Sequence, residues 1–298
     1  MISITEYIDD KSLKPSQREH DLWRVDADGT ESAQYPSTIG KITTEVRPQT
    51  DKTVQPPAQT SDEKAQKLVQ RGLEVVGGSN YLNVRTLIGR GIFSQYKDGS
   101  PEVPSKFVDY VVYPDKERTE FTSSGIRTIL GNSSGKGWVF DGSVKNLKDQ
   151  KAEQLEDFNT SMKTGFENLL RGWWRKEGAT VSYVGRREAG LARRNETVRL
   201  TYTDGFWIEY EFDAKEGLPA KVIYQRKRKN PDTDEMEQVT EEDHLLKPVT
   251  INGIVTFFVV DHFINGKQTS RINYDSVEYN QPIADSLFEK PANIKNLK

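Results

Sequence analysis

Few residues of this chain are spaced for chemistry. Its three histidines, His20, His244 and His262, stand in no HExxH or HxH pattern and in no His–carboxylate spacing of the zinc type. Asp261 and His262 are neighbours in a strand-like run, so their side chains leave opposite faces and cannot share one metal. The chain has no cysteine. That excludes a thiol nucleophile, cysteine-ligated zinc, iron–sulfur clusters and a disulfide framework. No GxSxG occurs, and no serine has a histidine placed by pattern. The run Gly131-Asn132-Ser133-Ser134-Gly135-Lys136-Gly137 misses the GxxxxGK[ST] spacing and leads into a strand rather than a helix N-terminus. It reads as a hairpin loop.

Two charged groups remain. Glu209 and Glu211 alternate with Ile208, Tyr210 and Phe212, so they read as the solvated side of an amphipathic strand, not as an acid–base pair. Arg226-Lys227-Arg228-Lys229 lies before Asn230-Pro231-Asp232 and the acidic stretch 234–237, and reads as a solvated hairpin tip. Lys and Arg total 42 against 45 Asp and Glu, a net charge of −3, which removes the bulk electrostatic case for nucleic acid. No run approaches the ~18 apolar residues of a membrane-spanning helix. Neither catalysis nor a cofactor is called for.

The elements that would position a site fall into two regions. Residues 1–60 hold five of the 13 prolines and two of the 22 glycines, with no sustained apolar period. They read as a mostly disordered leader and linker, with a short helix over 15–23. Residues 61–298 are patterned. Ser61 is placed to cap a helix whose face is Ala65, Leu68, Val69, Leu73 and Val76, and Gly77-Gly78 stops it. Strands follow over 84–96, 105–113, 116–123, 125–130 and 137–140. Residues 144–174 carry a helical stripe of Leu147, Leu155, Phe158, Met162, Phe166, Leu169 and Trp173, with a break expected at Gly165 or Gly172. Seven more strands span 181–187, 197–203, 206–212, 220–227, 236–247, 254–264 and 267–278. Asp204-Gly205 and Asn265-Gly266 have the composition of two-residue type I′ loops. The sum is an α+β domain: one large curved antiparallel sheet, an open half-barrel of about 11–12 strands, with helices on its concave face. Periodicity does not distinguish a filled core from a ligand cavity between the two layers.

Local phrases in this order resemble the LolA-like family of outer-membrane lipoprotein-sorting proteins. They are the leading helix closed by Gly77-Gly78, then Gly137-Trp138-Val139-Phe140-Asp141-Gly142, Tyr183-Val184-Gly185, Asp204-Gly205, Gly217-Leu218-Pro219, Asn252-Gly253-Ile254, and the closing stretch 282–291. The resemblance covers about residues 61–292. It implies a periplasmic, non-enzymatic, cofactor-free monomer that carries a lipid or an acylated protein. Exchange would be with a membrane-associated donor or acceptor protein. The expected cavity residues are Phe107, Tyr110, Trp138, Phe166, Leu169, Trp173, Phe206, Ile208, Tyr210, Tyr224 and Phe258, with Phe166, Leu169 and Trp173 as a lid stripe. A relative of the same fold that fills its cavity with its own side chains would instead be a sensor or scaffold that binds a protein partner and no lipid. Residues 1–10 carry three acids and no apolar h-region. Family members normally have a signal sequence or lipobox cysteine, so a removed signal or a misassigned start is expected.

Overall fold

The structure, a computed structural model, describes residues 24–25, 31–32, 61–230 and 233–297. It divides into two units, Met1–Pro56 and Pro57–Lys298. In the first, β1 (Arg24–Val25) pairs antiparallel with β2 (Glu31–Ser32). The expected helix over 15–23 and the expected linker lie outside the described residues.

The second unit opens with α1 (Glu63–Val76), whose buried face includes Ala65, Val69 and Val76. Asp62, not Ser61, is its cap, accepting from the Lys64 and Ala65 amides at 2.7 and 3.4 Å. Gly77 ends it at φ 126°, where its Cα lies against the Gly253 carbonyl and a side chain would collide. The short α2 (Ser79–Leu82) follows.

The next strands are β3 (Thr86–Lys97), β4 (Ser100–Pro101), β5 (Ser105–Val112), β6 (Lys116–Ser123), β7 (Ile126–Ser133), β8 (Lys136–Asp141) and β9 (Asn146–Asp149). Then come α3 (Ala152–Thr164), α4 (Phe166–Arg171) and a 3-10 turn (Trp173–Glu177), broken at Gly165 and Gly172 as the composition predicts. The return run is β10 (Thr180–Glu188), β11 (Arg194–Thr201), β12 (Trp207–Asp213), β13 (Pro219–Lys229), β14 (Met236–Ile251), β15 (Ile254–Ile264) and β16 (Lys267–Tyr279). All but β4 lie side by side in the order β10-β11-β12-β13-β14-β15-β16-β3-β5-β6-β7-β8-β9, and β4 pairs with β3. The sheet has 14 strands, is antiparallel throughout and does not close. It exceeds the expected 11–12 by β4 and β9. Residues 146–149, with Leu147, were expected to start the helix; a turn at 142–145 folds them back onto β8 instead.

Asn265 and Gly266 have φ of 50° and 75°, the two-residue turn expected. The Asp204-Gly205 loop differs. There Gly205 alone has positive φ; its N–H donates to the Tyr202 carbonyl at 3.1 Å, and Tyr202 N–H donates to that of Phe206 at 2.8 Å. That is a three-residue loop with a bulge. Further register shifts at Tyr183/Gly185, Glu211/Phe212, His262/Phe263 and Tyr274/Ser276 add twist and bend the sheet.

Directly paired residues share a face, so the ladder assigns every side chain to one side. On the helix-bearing face, α1 and α4 bury Val181, Val198, Leu200, Ile208, Tyr210 and Phe212. Phe166 stands edge-on to Tyr210 and Phe212, at 5.0 and 5.4 Å between ring centres. The opposite face of β6–β8 is covered by the C-terminal segment. There Trp138 Nε1 donates to the Phe288 carbonyl at 2.8 Å and Arg118 to that of Leu287 at 2.9 Å.

The carboxylate pair on β12 departs from its sequence reading. Glu209 and Glu211 are 2% and 3% exposed. Arg187 and Arg199, on β10 and β11, lie across them, and Asn195 donates to Glu211 at 2.8 Å. Alternation on one strand predicts a polar face; it does not show that arginines from neighbouring strands will roof it.

Candidate ligand cavity

Between the helices and the middle of the sheet lies a cavity of about 230 Å³. Val76, Phe166 and Leu170 line it from the helices, and Val222, Leu245 and Val277 from the strands. Its wall is apolar because these strands alternate and the helical stripe faces them. Arg171 fixes the roof. Its guanidinium donates to the carbonyls of Tyr81 (3.0 Å), Val84 (3.1 Å) and Leu82 (3.3 Å), and lies over the rings of Tyr81 and Tyr113 at 4.9 and 4.7 Å. This ties α4 to the segment that joins α2 to β3.

Gly165, Asp243 and Val260 also line a second, polar cleft of about 280 Å³. At its floor Glu241 is 1% exposed. It accepts from Tyr224 at 2.7 Å, Arg226 at 2.7 Å and Arg228 at 3.2 Å. Burial raises its carboxyl, but hydrogen bonds from Arg226 and Tyr224 and the two arginine charges outweigh that and hold it below the ordinary range. Arg226 also reaches Asp157 of α3 at 2.5 Å. The basic run is therefore not a solvated tip: β13 continues to Lys229, and Arg226 and Arg228 point inward while Lys229 pairs with Asp234. His262 lies 2.7 Å from Asp243 and 3.6 Å from Glu241. Burial lowers the imidazole, yet the Asp243 hydrogen bond and the two carboxylate charges raise it above its usual value. Asp261 faces the other way and pairs with Arg271 at 2.5 Å, as adjacent strand positions require.

Beyond β15 the same face continues as an aromatic strip. Phe258 and Phe107 meet Tyr274 at 6.4 and 5.4 Å, and Phe93 meets Phe121 at 5.3 Å. Tyr274 also lines the cavity, so strip and cavity are continuous. The helix α3 crosses from the β7–β8 turn, beside Gly135, to Arg226 of β13. Thr164 is its one buried residue, and its stripe of Leu155, Phe158 and Met162 stays half-buried. Within the strip, Asp109 and Glu117 both face Thr119, whose hydroxyl lies 2.8 and 3.1 Å from them. Burial and the neighbouring Glu117 push the Asp109 carboxyl well above the carboxylate range, and burial raises Glu117 as well.

The sequence-predicted residues take several positions. Phe166 lines the cavity and Tyr224 the polar cleft. Phe107 and Phe258 belong to the strip. Leu169, Ile208 and Tyr210 are fully buried beneath the helices and line neither space. Phe206 packs between Tyr202 and Tyr224, and Trp173 meets Tyr113 at 6.1 Å with the rings tilted. Tyr110 and Trp138 are corrections. Each stands an odd number of residues from its inward-facing neighbours, and the pairs Tyr110↔Arg118, Arg118↔Gly131 and Gly131↔Trp138 put both on the opposite face. Tyr81, Arg171, Tyr274, Asp109 and Glu117 were not anticipated. Only cross-strand register would have found the last three.

Among the described residues no group of three or more His, Cys, Asp or Glu is arranged to hold a metal, and no helix is long and apolar enough to cross a membrane. No protein-family model matches the sequence, and no curated protein does. Solved structures share the architecture. A DUF1329 family protein from Desulfovibrio piger ATCC 29098 aligns with a TM-score of 0.52 at 10% identity, over 76% of this chain and 98% of its own. A putative outer membrane lipoprotein-sorting protein domain from Vibrio parahaemolyticus aligns at 0.47 and 10% identity, over 74% and 97%. The LolA superfamily protein NE2245 from Nitrosomonas europaea aligns at 0.47 and 11% identity, over 76% and 97%. The architecture expected from the sequence, an open antiparallel sheet with helices on one face, is the one this chain adopts, and the Desulfovibrio piger protein shares that fold.

Proposed function

We propose that the second unit is a non-enzymatic carrier or binding domain for lipid acyl chains, acting in the periplasm. The observation that carries this reading is the apolar cavity between α1, α4 and the sheet, continued by the aromatic strip. A dry apolar cavity of about 150 Å³ holds a benzene-sized ligand. The cavity therefore takes the end of one chain, and the rest lies along Phe107, Phe258 and Tyr274. Each buried methylene contributes about 0.8 kcal/mol, which supplies affinity without directional chemistry. The periplasmic assignment follows from the family resemblance of the sequence.

Native mass spectrometry of the full chain, followed by solvent extraction, tests this directly. The expected result is about one lipid per chain, the stoichiometry of a single small-molecule pocket. A fluorescent fatty acid should also bind, and Leu245→Trp, which fills the cavity, should block it while preserving the fold. A bare polypeptide mass with no response to the probe would overturn the reading. The search would then turn to a protein partner for this face.

A further inference from the structure

Burial of an acyl chain makes no use of the polar cleft. The cleft adjoins the apolar cavity, since Gly165, Asp243 and Val260 line both. The ladder gives it one face of neighbouring strands: Arg226 and Arg228 from β13, Glu241 and Asp243 from β14, and His262 from β15. The helix α3 supplies Asp157 from the other side. Two of these three carboxylates are held by the sheet itself. Glu241 accepts from Tyr224 and both arginines, and Asp243 lies 2.7 Å from His262. Asp157 is held differently. It meets Arg226 at 2.5 Å but stands 3.9 Å from Arg228, beyond hydrogen-bond reach. Its side chain is 50% exposed, against 15% for Arg226. The arginine pair is thus fixed in the sheet, while the acid set upon it comes from a half-buried helix and engages one of the two.

This arrangement selects the head of a ligand by charge and shape. A carboxylate not tethered to α3 can set one oxygen on Arg226 and the other on Arg228, and charge-assisted contacts of this kind are the strong ones. It replaces Asp157, which turns to water, so the number of charges in the cleft stays the same. An ammonium head would meet two arginines and be repelled. A hydroxyl brings no charge to replace that of Asp157. We propose that the cleft receives the carboxylate of a fatty acid whose chain runs through the cavity onto the aromatic strip; this rests on the acyl-chain reading. The end of the chain that enters the cavity is then its polar end, passing Asp243 and Val260. The Asp243 charge at that passage is answered by His262, whose imidazole the neighbouring carboxylates raise above its usual value.

Titration calorimetry of the full chain with dodecanoate and dodecanol, at neutral pH, equal salt and below micelle formation, tests the cleft apart from the cavity. Dodecanoate should bind at least about tenfold more tightly, the scale of one charge-assisted contact. Asp157→Asn removes the competing charge from an exposed position and should tighten dodecanoate about threefold, the scale of a partly exposed ion pair. Arg228→Gln should weaken dodecanoate about tenfold. Neither change should move dodecanol binding, which checks that cavity and fold are intact. Equal binding of dodecanoate and dodecanol by the unmodified protein, or a dodecanoate affinity that neither variant changes, overturns the carboxylate site and leaves the carrier reading standing. Tighter binding of dodecyl phosphate than of dodecanoate assigns the arginines to a phosphate head and overturns it too. If no amphiphile binds, both readings fall.

Discussion

Strands β10–β14 and strands β3, β5 and β6 present aromatic rings on the same face of one sheet, yet under different cover. In the first region α1 and α4 lie directly on the strands, and Ile208, Tyr210 and Leu169 are fully buried. In the second, α3 spans the strip without burying its own stripe, and Phe93, Phe121, Phe258 and Tyr274 stay half-buried. The second region is held from behind, where Trp138 and Phe288 close under the C-terminal segment. In the second region the closed layer and the half-buried strip thus lie on opposite faces of the sheet. Their acids differ in the same sense. Glu241 of β14 is held by Arg226 and Arg228, and among the described residues Asp109 pairs with no cation.

The largest test of this contrast compares truncations. Trp138→Ala should cost about 3–5 kcal/mol and Leu169→Ala about 2–5 kcal/mol in urea unfolding, because each leaves a cavity in a closed layer. Phe121→Ala should cost below about 1.5 kcal/mol, since its ring is only half removed from water, while weakening the fatty-acid probe. A Phe121 loss as large as that of Leu169 would mean the strip is ordinary core. The acids offer a second test, read from stability against pH. Glu241 has a depressed pKa, so its contribution is present above its ordinary 4.5 and is lost as pH falls through the folded value. Glu241→Gln should therefore hurt most at neutral pH and least in acid. Asp109 has a raised pKa, so the folded state binds the extra proton and stability falls as pH climbs from its ordinary 3.8 through the folded value. Asp109→Asn should gain on the unmodified protein across that rise. Parallel slopes for the two variants would erase the distinction between the regions. The smallest effect belongs to Tyr210, 0% exposed with a hydroxyl that has no partner. Tyr210→Phe should be neutral or stabilising by about 1 kcal/mol in the same unfolding assay.

Most of the local structure was legible in the sequence, because turn residues and alternation are local signals. Strand β6 and strand β15 fall at the residues expected, and the helical break comes at Gly165 and Gly172. Long-range pairing was not legible. β16 lies against β3, with Tyr279 opposite Leu87, and nothing within either segment announces its partner. The site suffered most from this. Face assignment depends on register counted across several strands, and one odd step moves a residue to the other side. So Phe166 on its helix was read correctly as inward-facing, while Trp138 and Tyr110, equally aromatic, were read to the wrong face. Glu209 was read as solvated because Arg199, its cover, belongs to another strand.

The approach to α1 has a consequence for how copies of this protein meet. β10 is a free margin of the sheet, and such a margin is a template for another chain's strand. Here the chain just before α1 occupies it. Asp62 N–H donates to the Val181 carbonyl at 2.8 Å, Ser61 Oγ accepts from Val181 N–H at 3.1 Å, and Asp62 accepts from Tyr183 N–H at 3.3 Å. The bulge at Gly185 then bends the rest of the strand, and Arg186 and Arg187 follow it. At the far side β9 is only four residues long and carries Lys148. The two residues that start the helix thus also act as a guard against end-to-end polymerisation, and trimming the chain past Asp62 would expose a sticky border on an otherwise sealed sheet.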